Sequence, residues 1–189
     1  MPIERNIVMT RASVLRFRQA TAADLDAVAR IAAEAKAFLR RQGVDQWQRG
    51  PYPDRACFAA DIRAGLGHVL ACGDAVAAVC ALSLDPDPVY RRPLEGRWLT
   101  SDETFAAVLH QVAVSRRWHR QGLASLLFDE AAALAAAKGA KSLRIDTHPD
   151  NRPMQAALAR AGFARCTIFR LTDGAEAGNL RLGYERLIG

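Results

Sequence analysis

The most informative stretch of the sequence runs from Val112 to Ala124 and reads Val-Ala-Val-Ser-Arg-Arg-Trp-His-Arg-Gln-Gly-Leu-Ala. An apolar strand ends there, polar and basic residues follow, and a helix is predicted to open at Gly122. Such a junction directs several free backbone N–H groups toward one point, and the helix dipole adds a positive partial charge there. Gly122 also allows a ligand to approach the backbone closely. The pattern predicts a phosphate-binding site, with an ordinary βα turn as the alternative.

The segments on either side of this junction predict a mixed α+β chain without repeats or an interior linker. Strands are predicted at 14–18, 68–72, 75–84, 105–114, 142–147, 163–171 and 180–187, and helices at 25–43, 54–64, 121–138 and 151–161. The stretch from 85 to 103 is predicted to be irregular.

The composition excludes several classes of protein. The chain has 189 residues, half of them hydrophobic, which suits one domain with its own core and not a disordered chain. No apolar run approaches the ~18 residues of a membrane span, and the first residues lack the apolar core of a secretory signal. Residues 1–12 are predicted to be a loose tail. Four scattered cysteines fit neither a zinc site nor a disulfide framework, so we expect no metal and a reducing cytoplasm.

The net charge of +6 allows an anionic partner, either nucleic acid or a phosphorylated cofactor. No run of five or more Lys and Arg residues marks a nucleic-acid patch. The basic residues Arg116, Arg117 and Arg120 instead cluster at the predicted phosphate site. We therefore expect a phosphorylated small molecule, and neither nucleic acid nor a membrane.

The junction resembles motif A of the GNAT N-acetyltransferases, in which a strand is followed by Gln/Arg-x-x-Gly-x-Gly/Ala. His119, Gly122 and Ala124 occupy the motif positions, with His119 in place of the usual Arg or Gln. Asn151, followed by Gly162-Phe163 eleven and twelve residues later, matches a second pattern of the family. The likeness covers about 14–187, is closest to a bacterial subgroup of mostly unassigned substrate, and implies a single GNAT domain over residues 13–189.

The resemblance implies a mostly antiparallel central sheet with helices on both faces and a splayed fourth and fifth strand. Acetyl-CoA would lie in the gap between those strands. The cofactor-binding residues that it implies are Val112, Ala113, Val114, His119, Arg120, Gln121, Gly122, Leu123, Ala124, Ser125 and Asn151. The pantetheine arm would pair with the backbone near Val112 and Val114, and the pyrophosphate would lie on the amides of 120–125. A backbone N–H near Val112 would polarise the acetyl carbonyl, and the amine would attack the thioester directly.

The reaction needs a base for the substrate ammonium and an acid for the departing thiolate. Period-2 geometry predicts that His110, Val112 and Val114 share one face, which would place His110 beside the acetyl group. An imidazole accepts protons near neutral pH, so His110 is the candidate base, with a core histidine as the alternative. Leu158 stands where many family members carry the acidic Tyr. Tyr184 or water is left as the acid, and an ordinary strand residue is the alternative for Tyr184.

Three further residues are candidates for the acceptor site. Trp47 and Tyr52 lie in the loop after the first helix, where the family builds an aromatic acceptor wall that suits a small amine or amino-acid-like molecule. Asp146 follows the fifth strand. The alternatives are that the two aromatic residues only anchor the loop and that Asp146 caps a turn.

The sequence thus favours a cytoplasmic, acetyl-CoA-dependent N-acetyltransferase acting on a small amine. A peptide N-terminus as acceptor, another acyl-CoA as donor, and an acetyl-CoA-binding sensor without turnover remain open, as does a homodimer.

Overall fold

The structure is a computed structural model that describes residues 15–189. The predicted tail at 1–12 lies outside these residues. Eight described strands form one sheet in the order β1-β2-β3-β5-β6-β8-β7-β4. The strands are β1 (Leu15–Gln19), β2 (Gly67–Cys72), β3 (Ala75–Ser83), β4 (Glu95–Gly96), β5 (Ala106–Val114), β6 (Ser142–Thr147), β7 (Ala164–Arg170) and β8 (Leu180–Leu187). The short β4, in the stretch predicted to be irregular, is the one strand that the sequence did not reveal.

Among the described residues, four α-helices cover both faces of this sheet, as predicted. They are α1 (Leu25–Arg41), α2 (Arg55–Arg63), α3 (Leu123–Ala137) and α4 (Arg152–Arg160). The apolar stripe of α1 and Phe58 of α2 pack in one cluster with residues of β2, β3 and β5. Helices α3 and α4 pack in a second cluster on the opposite face. All strand pairs are antiparallel except β5 with β6, which confirms the mostly antiparallel sheet.

Strand β5 carries a bulge in its middle. Ala113 pairs with Val79 of β3 and His110 pairs with Ala81, so Cys80 alone faces two β5 residues. One of the two, Gln111, has a φ of 55°, a left-handed conformation that is typical of an extra residue in a strand.

The bulge reverses which residues of β5 share a face. His110 pairs with Ala81 and so lies on the same face as Ala113, which packs in the cluster with α1. Val112 and Val114 pack in the cluster of α3 and α4 on the other face. The prediction that His110 shares a face with these two valines is therefore wrong, because strict alternation along the sequence takes no account of a bulge.

Beyond the bulge, β5 and β6 separate. They pair in parallel only from Ala106 to Leu109 against Ser142 to Ile145. From His110 onward β5 continues against β3 alone, and β6 continues to Thr147 against β8 alone. These are the predicted fourth and fifth strands, and their splaying is confirmed.

Candidate active site

A cavity of about 220 Å³ lies beside the separated part of β5. Its wall is mainly apolar, with a few polar side chains, as is typical of small-molecule sites. The lining residues come from α1, the following loop, β5, α3 and α4, and they are Ala35, Phe38, Leu39, Gln46, Trp47, Val112, Ala113, Val114, His119, Ala124, Asn151, Pro153, Met154 and Ala157. The structure thus brings together seven of the residues for which a cofactor- or substrate-binding role was predicted.

The N-terminus of α3 lies at one end of this cavity. Gly122 has a φ of 78° and its carbonyl accepts the first bond of the helix, from Leu126 N at 3.1 Å. Within residues 15–189, the backbone amides from 120 to 125 donate no hydrogen bond. A Cβ placed on Gly122 would meet no atom within 4 Å, so the protein itself leaves this space open. Free amides, open space and the dipole of a fifteen-residue helix suit a phosphate.

His119 lines the cavity, and its ring already makes contacts with other residues of the protein. Its Nε2 lies 3.1 Å from the carbonyl oxygen of Val114, so this nitrogen carries the proton and donates. The ring also meets Phe38 edge-on, with 6.1 Å between centroids. Arg116 and Arg120 remain exposed nearby, where their charges add to the positive potential of the junction.

Asn151 is buried where β6 leads into α4. Its Oδ1 accepts from Met154 N at 3.2 Å and so caps α4, and its Nδ2 donates to Gln46 Oε1 at 2.9 Å. Sequence reasoning missed Gln46. It lies 105 residues from Asn151 along the chain. No pattern in the sequence around Gln46 predicts its hydrogen bond to Asn151.

His110 lies on the other side of β5, among carboxylates from three elements. Its Nε2 is 3.7 Å from Asp87 Oδ2, and its side chain is 31% exposed. Asp61 of α2 and Asp146 of β6 also interact with its charge. Burial raises the pKa of both of these carboxyl groups, and the interaction with His110 opposes that rise. These carboxyl groups would favour the binding of a cationic group, such as an ammonium, on this side of β5.

Asp146 is held by two side chains. Tyr90 donates its hydroxyl to Asp146 Oδ1 at 2.8 Å, and Arg181 Nε lies 3.2 Å from Oδ2. Arg181, itself buried, also pairs with Glu176 at 2.7 Å. The contacts of Asp146 with Tyr90 and Arg181 were not predicted, because they join segments that are distant along the chain. A substrate contact by Asp146 stays a prediction.

Trp47 and Tyr52 lie where the acceptor wall was predicted. Trp47 has a φ of 63°, lines the cavity, and packs with Leu39 and Val44. Tyr52 packs against the same cluster, and burial raises the pKa of its hydroxyl to about 12. Tyr52 is therefore a neutral hydrogen-bonding group at physiological pH, and its contact with an acceptor stays a prediction.

Tyr184 lies in the core, on the face of the sheet that α3 and α4 cover. It is 5% exposed, and burial raises the pKa of its hydroxyl. Leu158 is completely buried in the same cluster. Tyr184 does not line the cavity and lies on the face opposite His110. Its role as the acid stays a prediction that the burial disfavours.

Within residues 15–189, no group of three or more His, Cys, Asp or Glu side chains is arranged to hold a metal ion. No α-helix in that range combines the length and apolar character needed to cross a membrane.

Comparisons with known proteins agree with this geometry. A model of the Acetyltransferase (GNAT) family matches residues 29–163. No curated protein matches the sequence. A solved GNAT-family acetyltransferase from Streptococcus agalactiae is 27% identical, with a TM-score of 0.82 over 93% of this chain and 96% of that one.

Two more distant structures share the fold. A GNAT-family acetyltransferase from Listeria monocytogenes has a TM-score of 0.67 at 17% identity, over 92% of this chain and 95% of that one. The ribosomal-protein-S18-alanine N-acetyltransferase from Escherichia coli has a TM-score of 0.62 at 18% identity, over 93% and 95%.

Proposed function

The chain belongs to the GNAT family of acetyltransferases, and we propose that it transfers the acetyl group of acetyl-CoA to the amine of a small molecule. One observation carries the proposal: the separated half of β5 and the free amides at the N-terminus of α3 border one cavity. That arrangement offers hydrogen bonds to an extended amide chain and to phosphates at the same time.

The coenzyme would be held mainly by backbone. The amides from 120 to 125 would receive the pyrophosphate, and Arg120 and Gln121 would flank it. The backbone of Val112 to Val114, which β6 leaves unpaired, would pair with the pantetheine arm. An N–H near Val112 would polarise the thioester carbonyl.

His110 is the proposed base. It would take the proton of the substrate ammonium so that the neutral amine attacks the carbonyl carbon and the thiolate leaves. The carboxylate of Asp87, 3.7 Å away, would stabilise the imidazolium that forms. The departing thiolate must then be protonated, by water or by Tyr184. Leu158 has no proton to give, and Tyr184 would need to be exposed by a movement of the core.

The acceptor site would lie on the His110 side of β5. Carboxylates of Asp61, Asp87 and Asp146 surround that side, which favours a cationic amine before its deprotonation. Trp47 and Tyr52 would form its aromatic wall. A peptide N-terminus is a second acceptor class. It is suggested by the ribosomal-protein-S18-alanine N-acetyltransferase from Escherichia coli, which shares the fold. Another acyl-CoA donor, or acetyl-CoA sensing without turnover, would use the same groove. We place the protein in a bacterial cytoplasm and leave a homodimer open.

An acceptor screen tests this function. Purified protein, acetyl-CoA and a panel of amines, amino acids and short peptides are incubated, and the release of free thiol is followed. Thiol release that depends on one amine class supports the proposal. Acetyl-CoA binding without thiol release on any acceptor favours the sensor, and absence of acetyl-CoA binding contradicts both.

A further inference from the structure

Gln46, in the loop after α1, is a buried polar side chain in the wall of the cavity. It is 8% exposed. Its Oε1 accepts from Asn151 Nδ2 at 2.9 Å, from Thr147 Oγ1 at 3.2 Å and from His148 N at 3.3 Å. One amide oxygen therefore ties this loop to the end of β6 and to the start of α4.

The orientation of the Gln46 amide follows from its partners. The backbone N–H of His148 can only donate, so the group facing it must be the oxygen. The Asn151 amide is oriented in the same way, because its own oxygen faces Met154 N. The side-chain nitrogen of Gln46, Nε2, is thus the end of the amide that none of these three donors faces. It donates to no other residue among 15–189, although the side chain lines the cavity.

The loop that carries Gln46 is fixed in place by further hydrogen bonds within the protein. The next residue, Trp47, donates its backbone N–H to the buried carboxylate of Glu176. Arg181, which is 2% exposed, fixes Glu176 through a 2.7 Å ion pair. Gln48 donates to the backbone carbonyl of Gln46 at 2.9 Å. The position of the free amide nitrogen is therefore set before a ligand arrives, which lowers the entropy cost of binding.

On the premise that the proposed function is right, we propose that Gln46 Nε2 donates a hydrogen bond to a carbonyl oxygen of the pantetheine arm of acetyl-CoA. The cavity wall is mainly apolar, so a ligand that displaces water from the cavity must offer this N–H donor an acceptor in place of that water. The amide carbonyls of pantetheine are neutral acceptors of that kind. Gln46 would then recognise the pantetheine arm, whereas the amides at the N-terminus of α3 would recognise the phosphates.

Gln46→Glu separates the two roles of the side chain. The glutamate keeps an oxygen for the donors of Thr147, His148 and Asn151, but it replaces the N–H donor by a second acceptor. We expect calorimetry to show acetyl-CoA binding weakened by about tenfold or more, because an acceptor would then face an acceptor. Adenosine 3′,5′-diphosphate, which has phosphates but no pantetheine, should bind within about twofold of the wild type.

Gln155→Leu is the matched control. Gln155 also ties down the start of α4, through a 2.6 Å bond from its Nε2 to Pro149 O, but it does not line the cavity. Its loss should leave acetyl-CoA affinity nearly unchanged.

Three outcomes would overturn the inference. They are unchanged acetyl-CoA binding in Gln46→Glu, equal weakening toward both ligands, or equal weakening in Gln155→Leu. Failure of the wild-type protein to bind acetyl-CoA would instead remove the proposed function itself.

Discussion

The two halves of β5 differ in what lies beside them. From Ala106 to Leu109 the strand pairs with β6, and at Val108 and Leu109 it also pairs with β3 on its other side, so its backbone is used by the fold. From His110 to Val114 it has β3 on one side and no strand on the other, and Val112, Ala113 and Val114 line the cavity. A single bulge at Gln111 marks the change. One strand thus supports the sheet with its first half and leaves its second half for a ligand.

The second half also separates two chemical tasks. Its open edge offers backbone amides and the cavity that α1, α3 and α4 line, which suit binding. The side toward α1 and α2 offers His110 and carboxylates, which suit proton transfer. Substitutions on the two sides should therefore separate binding from turnover.

The largest effect is expected for His110→Ala. Without a base, the substrate ammonium stays protonated, and we expect kcat to fall by about a hundredfold or more. The acetyl-CoA dissociation constant should stay within about twofold, since His110 does not line the cavity. Steady-state kinetics and calorimetry check both values. Unchanged turnover would remove His110 from the mechanism.

Gly122→Ala should weaken binding by about tenfold. The added Cβ enters space that the protein leaves open for a ligand, at a φ of 78° that alanine disfavours. Gly139→Ala is the control, because Gly139 has a φ of 93° and equally open surroundings. Both variants should lose about 1 kcal/mol of stability, but only Gly122→Ala should lose acetyl-CoA affinity. Equal affinities would contradict the phosphate site.

Asp87→Asn should lower kcat by about two- to fivefold, because a partly exposed ion pair contributes little more than that. Asparagine keeps the oxygen that caps Val89 N at 3.0 Å, so the local turn should survive. In a His110→Ala background the same change should have no further effect on turnover. Additive losses in the double variant would show that Asp87 acts independently of His110.

Asp24→Asn should change stability and leave turnover alone, because neither Asp24 nor its partner Arg18 lines the cavity or contacts His110. Hydrogen bonding to the Arg18 guanidinium lowers the pKa of Asp24 to about 2, against burial that raises it. A folded-state pKa below the ordinary 3.8 contributes stability above about pH 4, which is lost as the pH falls toward 2. At pH 7 we expect Tm to fall by about 5 °C.

Asp26→Asn is the control for that change. The Asp26 carboxylate pairs with Arg55, and both side chains are largely exposed. Its removal should leave Tm within about 1 °C. A Tm loss equal to that of Asp24→Asn, or an activity loss in either variant, would contradict the separation of stability from function.

The sequence was a good guide to whatever depends on neighbouring residues. The junction at Gly122, the helix that follows Asn151 and the order of the longer elements along the chain all follow from local patterns, and the structure has them where they were predicted. The bulge at Gln111 was not predicted, because two adjacent polar residues, His110 and Gln111, in an apolar run do not by themselves specify an extra residue in a strand. Gln46 and Asp87 could not be found either, because each meets its partner only after distant segments have packed.

Hydrogen–deuterium exchange with and without acetyl-CoA tests the central claim most directly. In the free protein, the amides of 123–125 and of the second half of β5 should exchange faster than those of 108–109, which lie between two paired strands. Saturating acetyl-CoA should slow exchange at 112–114 and 120–125 and leave 106–109 unchanged. Protection that is absent at both segments, while acetyl-CoA is bound, would contradict the account.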